Sequence, residues 1–478
     1  MYIYSTLSNK LENINEQHIS IYVCGVTPYA ECHLGHAMSA MIYDTLIRFL
    51  KWKGHNVQYV SNYTDIDDKI IEAAKKSTSD PIEMAKNNID LWETQQKQLG
   101  LNMPDIRPKV TDEINTIINS IKKIIDSEHG YVTQNGAVYY RVKKNKNYGE
   151  LSKRKLKDLL QEEDLNEEKE SPVDFALWKP KKQGEPGWQS PWGEGRPGWH
   201  IECSAMAEKY LGENFTIHGG GTDLIFPHHE NEIAQAFGAG SKGFAKIWMH
   251  NGMLLVEGKK MSKSVGNYIS VKEALNKWSP TALRFFVLSA GYRQPTNFSN
   301  EAMNNATNAV KKIQQIIRDN QNTFNNFKND TMNDFKGNHI ENFILVMEDD
   351  FNTPKALAII FDIVKKINTE QEENKKNDLL YELFNMLECL GLDEYEKSDL
   401  DELTLQQSSD LFMLANEFKL SNTSNTKKIM DELLKLRNFE RGAKNFELSD
   451  KIRDDLKKIG ITINDNETLT TWSIKRKL

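Results

Sequence analysis

Apolar residues recur along this chain with two periods, and the places where one period gives way to the other mark its elements. Residues 19–24 form a short apolar run, Ile-Ser-Ile-Tyr-Val-Cys, which predicts a strand running into Cys24. Beyond a turn containing Gly25 and Pro28, Met38, Met41, Ile42, Leu46, Phe49 and Leu50 are spaced by three and four. A helix is predicted there, with Gly54 as its stop. Residues 57–63 predict a second strand. The unit is β-α-β, and the orphan N–H groups and positive dipole end at the mouth of its helix make the first turn a place for phosphate. That turn carries Cys24, His33 and His36.

Residues 64–71, Thr-Asp-Ile-Asp-Asp-Lys-Ile-Ile, open a further helix, with Thr64 placed to cap it and Asp65, Asp67 and Asp68 at its positive end. Holding a substrate ammonium group is the functional alternative for this turn. Residues 82–126 read as helical with a break at 103–108. At 131–142 the period changes to two around Asn135-Gly136, which predicts a hairpin with a type I′ turn. An insertion begins there; it continues through a helical pattern at 151–160 into an acidic run at 161–170, read as a solvated, mobile loop. Residues 174–206 set Trp188, Trp192 and Trp199 among glycines and prolines, so mostly irregular backbone building a cleft wall is expected. Trp199 is the expected pocket residue, Trp188 and Trp192 the packing under a loop. Within 214–232 a strand ends in a glycine-rich turn and Pro227 begins a helix. From 281 the chain reads as helical, at 282–289, 300–328 and 340–392, with Cys389 as a core thiol. Two short strands follow at 460–463 and 470–474, where Trp472 either stacks on a base or fills a small core.

At 478 residues the chain exceeds what one core accommodates, so three or four structural units are expected. No apolar run approaches the ~20 residues of a membrane span, and the first residues show no targeting pattern, so a soluble, cytoplasmic protein is expected, with no membrane partner. Four cysteines, at 24, 32, 203 and 389, do not make a disulfide framework; metal or catalytic use in a reducing compartment is the better reading. The net charge of −7 requires any nucleic-acid partner to be held by a local basic surface. Residues 427–458 carry ten Lys/Arg against seven Asp/Glu, a modest excess able to track a phosphate backbone.

The first turn lacks a G-x-G-x-x-G, which argues against a nicotinamide or flavin dinucleotide; its imidazoles can instead donate to phosphoryl oxygens as charge builds there. His228 and Glu232, four apart on a helix, can converge on one ion, and Cys24 and Cys203 add soft donors. Such a set favours zinc over magnesium or calcium. Four protein donors suit a closed structural site, whereas a catalytic ion keeps a position open. Residues 259–267, K-K-M-S-K-S-V-G-N, form a flexible cationic loop able to close over a triphosphate, with a solvated basic turn as the alternative.

Taken in order, Y-V-C-G-V-T-P-Y, H-L-G-H, T-D-I-D-D-K-I, N-G-A-V-Y-Y, D-F-A-L-W-K, G-R-P-G-W-H-I-E-C-S-A-M, F-P-H-H-E-N-E-I-A-Q and K-M-S-K-S resemble the class I cysteinyl-tRNA synthetases over most of the chain. The resemblance implies an α/β fold: a Rossmann-like catalytic domain in two halves, 1–126 and 197–262, around an insertion at 127–196. A signature-loop and stem-contact region at 263–300, a tRNA-binding helical bundle at 301–400 and a mixed α/β anticodon-binding domain at 401–478 would follow. It implies ATP-dependent activation of L-cysteine to cysteinyl-adenylate, transfer to the 3′ end of tRNA(Cys), and a monomer. Cys24, Cys203, His228 and Glu232 match the family's ligands for one zinc ion, which in that family binds the substrate thiolate, and Mg²⁺ accompanies the ATP. His33, Gly35, His36 and Lys263, with Lys260 beside it, match the ATP-binding and catalytic positions. Thr64, Trp199 and Asp223 match the amino-acid pocket.

Rival readings lie in other classes. His228, His229 and Glu232 fit a zinc hydrolase, which leaves the two phosphate-facing motifs unexplained. A ligase delivering cysteine to an amino sugar would lack the C-terminal region. A non-catalytic tRNA-binding relative would not need competent residues at every nominated position.

Overall fold

The computed structural model describes residues 1–162, 168–261, 266–328, 337–393, 405–418, 420, 426–465 and 470–474. It opens with a hairpin, β1 (Tyr2–Ser5) and β2 (Lys10–Asn13), followed by β3 (His18–Val26), α1 (Leu34–Trp52) and β4 (Asn56–Tyr63). Residues Ile19 to Val23 of β3 are all buried, as expected of a parallel strand covered on both faces. The helix spacing read from the sequence is that of α1, whose Met38, Met41, Ile42, Leu46, Phe49 and Leu50 are buried. Gly54 follows it with φ 89°, the left-handed conformation of a stop glycine.

Next come α2 (Asp68–Ser77), α3 (Pro81–Gln98) and α4 (Ile114–Asp126). The cap of α2 is Asp67, not Thr64: the Asp67 side chain accepts from the Lys69 N–H, while Thr64 is buried facing inward. A second sheet is antiparallel, in the order β5 (Gly130–Val132), β6 (Val138–Tyr140), β7 (Phe175–Pro180), β8 (Gly195–Pro197). Its first hairpin forms at Asn135-Gly136, but not as type I′, which needs φ above zero at both residues. Only Gly136 is left-handed, and its N–H reaches the Thr133 carbonyl at 3.0 Å, closing a turn one residue earlier. The helical pattern at 151–160 is realised later, as α5 (Leu156–Glu162). Of the acidic run, 163–167 lie outside the described residues; Glu168 accepts from Asn135 and Tyr139, and Glu170 pairs with Arg141 at 2.6 Å, so that end is tied to the hairpin. Residues 174–206 are more regular than expected: β7, β8 and the start of α6 (Trp199–Leu211) leave 181–194 as the main irregular stretch, because Leu177 and Trp178 pair into the sheet and its core. Trp188 and Trp192 pack against that core.

Strand β9 (Phe215–Gly221) contains the three glycines expected in a turn, and Gly219 to Gly221 pair in register with β10 (Ala245–Asn251). The glycines serve a close approach: a Cβ on Gly219 would press into the Tyr43 ring, whose hydroxyl accepts from the Gly220 N–H at 2.7 Å and donates to Met249 O at 2.8 Å. The main sheet runs β10-β9-β3-β4, all parallel. From β3 the chain crosses to β4 on one side and later returns to β9 on the other, so the switch point lies between β3 and β9. Pro227 does not begin the following helix; a single wide turn, Ile225–His229, kinked at Phe226, precedes α7 (Glu230–Gly238).

Beyond β10, β11 (Leu254–Val256) pairs with β12 (Lys259–Lys260) and with β13 (Thr296–Phe298), and α8 (Val271–Lys277) and α9 (Pro280–Leu288) lie between them in sequence. A helical region follows: α10 (Asn300–Asp319), α11 (Gln321–Lys328), α12 (Asn338–Glu348), α13 (Thr353–Thr369) and α14 (Glu373–Leu390), with Cys389 buried as expected. The Asn352 side chain caps α13 and Pro354 occupies its first turn, where its missing N–H costs little. The chain divides into two compact units, Met1–Glu394 and Tyr395–Leu478. The second unit contains α15 (Leu405–Glu417), α16 (Thr426–Gly442), α17 (Phe446–Lys458) and the hairpin β14 (Ile461–Asp465) and β15 (Thr470–Ile474) around Leu411, Leu433, Ile452, Leu456 and Ile461. Trp472 packs on this core, the second of its two expected roles. Among the described residues, no helix is long and apolar enough to cross a membrane.

Candidate active site

The switch point between β3 and β9 opens into a cavity of about 370 Å³. Its wall includes His33, Gly35, His36, Thr64, Trp199, Asp223 and Lys260, together with Cys24, Cys203 and His228. Positions separated by more than two hundred residues in sequence thus share one space. Lys263 lies outside the described residues, and Glu232 stands behind the wall, fully buried.

Cys24 reaches this space because β3 is irregular where it carries the thiol. The register runs from Val23 opposite Ser61 to Val26 opposite Tyr63, so Cys24 and Gly25 together face only Asn62. Such a bulge re-aims the side chain on it. Cys24 Sγ lies 3.7 Å from Cys203 Sγ, on the second turn of α6, and 3.4 Å from Glu232 Oε1. His228 Nε2 is 3.0 Å from the same carboxylate oxygen. The donor atoms of Cys24, Cys203, His228 and Glu232 all lie within 4.8 Å of one another, a spacing that suits one ion.

A second donor set, Cys24, His218, His229 and Glu232, meets the same criterion. Two observations favour the first. Three of its four members line the cavity, whereas of the second only Cys24 does. His218 and His229 are moreover engaged in orienting the first set. His218 Nε2 contacts Glu232 Oε2 at 2.8 Å, turning the other oxygen toward Cys24 and His228. His229 Nε2 is 3.3 Å from Cys24 Sγ, and its Nδ1 is 2.8 Å from His250 Nε2, which ends on Thr6 Oγ1 at 2.7 Å. His228 is itself held from behind, Nδ1 to Nδ1 with His200 at 2.9 Å, leaving Nε2 toward the other donors. Outer hydrogen bonds of this kind fix the ring orientation of a ligating histidine. The softness of two sulfurs suits zinc.

The electrostatics agree with a site built for a cation. Hydrogen bonding from Cys24 brings the Cys203 thiol down to about 6, against the opposing effect of burial and the Glu232 charge. Burial disfavours a charged His228, but Glu232 and the Cys203 sulfur outweigh it and push the imidazole up to about 10. Burial likewise opposes a Glu232 carboxylate, yet the facing His218 and His228 keep it well below the usual range. Burial and the neighbouring Cys203 and Glu232 push Cys24 up. Negative charge thus collects on Cys203 and Glu232, with a protonated histidine between them where an ion would sit.

At the other wall, His33 caps α1. The His33 N–H donates to His36 Nδ1 at 3.2 Å, the His36 N–H donates to His33 Nδ1 at 3.3 Å, and the rings stack at 3.7 Å. Because each Nδ1 accepts, each ring carries its proton on Nε2. Burial, then His33 and Lys69, hold His36 down to about 3, so it is a neutral donor. Both ends of the 259–267 loop return here. The Asn267 amide donates to Lys260 O at 3.1 Å, the Tyr268 hydroxyl donates to Glu31 O at 2.6 Å, and the Leu34 N–H reaches Ile269 O at 3.0 Å.

Sequence reasoning missed Asn62. Fully buried, its Oδ1 accepts from the Gly25 N–H at 3.0 Å and lies 3.6 Å from Cys203 Sγ, and its amide donates to Thr64 Oγ1 at 3.3 Å. The available signal was weak: Asn62 stands between Ser61 and Tyr63 in a strand that also carries Asn56 and Gln58, and only its complete burial shows that its amide needs partners. Replacing Asn62 by Leu strands the Gly25 N–H; a loss of roughly 1–3 kcal/mol in stability and of about 10–100-fold in metal affinity is expected. Denaturant titration and metal retention against a chelator measure the two effects separately.

Comparison with known proteins bears on what this cavity does. The family model described as tRNA synthetases class I (C) catalytic domain matches residues 10–308, and that of the DALR domain matches residues 342–392. Curated relatives named "Cysteine--tRNA ligase" include those of Dehalococcoides mccartyi, 42% identical over all of both chains, and Thermosipho africanus, 40% identical over 99% of this chain and 98% of its own. A relative of the same name from Methanococcus maripaludis is 39% identical over 97% of each chain. Among solved structures, methionyl-tRNA synthetase of Mycobacterium tuberculosis with methionyl-adenylate superposes with a TM-score of 0.57 at 14% identity, covering 79% of this chain and 90% of the other. That likeness is one of fold.

Proposed function

This chain belongs to the class I cysteinyl-tRNA synthetases and is a ligase that charges tRNA with cysteine; from that premise we propose that the cavity activates L-cysteine with ATP and selects it through a zinc ion. The observation that carries the reading is the meeting of Cys24, Cys203, His228 and Glu232 at the cavity wall, opposite the His33–His36 pair. Zinc, held by those four residues, would supply a soft Lewis acid that a thiolate occupies readily and a hydroxyl does not. Packing alone discriminates poorly between near-isosteres such as cysteine and serine.

The chain's own residues then position two substrates. Trp199 stacks on His228 with centroids 4.4 Å apart and walls the path from the sulfur end of the cavity. Thr64 and Asp223 line the same wall and suit the amino acid's ammonium group. The cysteine carboxylate attacks the α-phosphorus of ATP, forming cysteinyl-adenylate and releasing pyrophosphate. His33 and His36, each with its proton on Nε2, donate to phosphoryl oxygens as charge develops, while Lys260 and Lys263 neutralise the triphosphate, which travels with Mg²⁺. A ribose hydroxyl at the 3′ end of tRNA(Cys) then takes the cysteinyl group and AMP leaves.

We assign the catalytic domain to 1–126 and 197–262 around the 127–196 insertion, with 263–300 contacting the acceptor stem, 301–400 bearing the tRNA and 401–478 reading the anticodon. In the C-terminal unit, Phe439 and Phe446 are exposed beside exposed Arg441 and Lys444, a pairing of aromatic faces with positive charge that suits single-stranded RNA. An amino-sugar ligase lacking that region is disfavoured by relatives that match from end to end.

Pyrophosphate exchange with cysteine, with serine and without amino acid, before and after chelation, tests the reading. Exchange that depends on cysteine, ignores serine and disappears with the metal is expected. Equal exchange with serine would remove metal-based selection, and exchange that survives complete chelation would remove the metal from activation.

A further inference from the structure

Lys69 follows three carboxylates in the chain, Asp65, Asp67 and Asp68, and each of them makes a hydrogen bond or ion pair to a group other than its ammonium. Asp65 accepts from the Thr111 N–H at 3.0 Å and from its hydroxyl at 2.6 Å. Asp67 caps the helix by accepting the backbone N–H of Lys69 at 2.9 Å. Asp68 is held by Arg196 and Lys179, which tie it to the insertion sheet. Among the described residues, the Lys69 ammonium makes no ion pair. It stands instead 5.9 Å from the ring centroids of both Tyr29 and Trp199, and Lys69 lines the cavity.

Lys69 is exposed, and the two aromatic rings flank its ammonium near the ~6 Å limit of a cation–π contact without neutralising it. Its charge is felt across the cavity at His36, whose ring it helps to keep neutral. Trp199 supplies the direction. The indole stacked on His228 is also one of the two rings that flank Lys69, so one of the candidate metal donors and the ammonium are neighbours of a single ring. A small molecule lying along Trp199 with its sulfur at Cys24, Cys203 and His228 would extend within the same cavity toward the wall that Lys69 lines. For cysteine the far end is a carboxylate, and the three acids, otherwise committed, do not compete for the cation.

We propose that Lys69 binds the carboxylate of the substrate amino acid and so places the oxygen that attacks ATP. The proposal rests on the reading of the cavity as a cysteine site and adds to it the group that recognises the acid end. It also divides the acidic turn by role: Asp68 anchors the helix, Asp67 caps it, and Lys69 faces the substrate.

Equilibrium binding to the zinc-loaded protein tests this without turnover. L-Cysteine and L-cysteinamide, which lacks the carboxylate, are titrated by calorimetry into wild type, Lys69→Met and Lys69→Arg, with zinc content measured in each. Wild type should prefer cysteine by roughly tenfold, as a charge-assisted contact implies. Lys69→Met should lose that preference through weaker cysteine binding alone, and Lys69→Arg should restore most of it, with zinc content equal throughout. A Lys69→Met protein that keeps the wild-type preference, or that loses both ligands equally, overturns the role of Lys69. A wild type that binds neither ligand overturns the cysteine site itself and the proposal with it, so the two failures are distinguishable.

Discussion

Cys203→Ser is expected to lose metal and cysteine-dependent pyrophosphate exchange while remaining folded. Cys203 is buried on α6 with its sulfur 3.7 Å from Cys24 Sγ and 3.6 Å from Asn62 Oδ1. A serine hydroxyl is smaller and finds the same asparagine oxygen as an acceptor. The cost in stability is therefore limited to about 1–3 kcal/mol, within the roughly 5–15 kcal/mol that a folded domain holds. The metal-binding cost is larger. If four donors share an apparent binding free energy of roughly 10–16 kcal/mol, losing one soft ligand removes about a quarter of it. That corresponds to roughly 10²–10³ in affinity.

Zinc content, far-UV circular dichroism and exchange activity, measured on one preparation, separate the outcomes. Folded, metal-poor and inactive protein supports a site whose ion serves the substrate. Unfolding, matched by unfolding of the wild type under chelation, would make the ion structural instead. Full zinc occupancy with Cys203 gone would shift the assignment to the set containing His218 and His229.

The contest between those two donor sets shows where sequence stops being informative. Cys24, Cys203, His228 and Glu232 are legible because each residue type is unusual in its surroundings and the motifs stand in family order. His218 and His229 stand equally close in the fold, and only the third dimension shows that they turn toward Glu232 and Cys24 from behind. The β-α-β unit was legible for a simpler reason: its apolar period is set by burial on one helix face, which is a local property. The hairpin at Asn135-Gly136 lies between these cases. Its glycine is demanded by a left-handed position, but the dipeptide does not say whether the residue before it is left-handed too, and here it is not. Pro227 misled for a related reason. A proline favours a first helical turn in isolation, yet the chain must place His228 toward the cavity, and it does so through a kinked wide turn before α7 begins. Lys69 was quoted within its motif and given no role, since nothing local shows that its three neighbouring acids are taken.

Gly25→Ala is expected to cost more stability than any substitution considered above, by roughly 3–5 kcal/mol, and to remove metal binding with it. The reason is steric. Gly25 does not adopt a left-handed φ, so alanine meets no penalty from its own backbone. A Cβ there would overlap the Asn62 carbonyl group of β4, and backbone atoms cannot turn away as a side chain can. The strands must part at the bulge that aims Cys24 into the cavity. Parting them breaks the Gly25 N–H to Asn62 Oδ1 bond and moves the amide that also holds Thr64 and approaches Cys203. One methyl group therefore acts on two of the proposed metal donors, Cys24 and Cys203, and on Thr64 through a single contact. Gly54→Ala is the matched control: it has open space around it and only its φ of 89° to oppose the change, so a cost of about 1 kcal/mol with normal zinc content is expected. Denaturant midpoints and zinc stoichiometry of the two variants decide the matter. If Gly25→Ala matches Gly54→Ala in both, the strands in solution stand farther apart at the bulge than their spacing here, and close strand approach is not what positions Cys24.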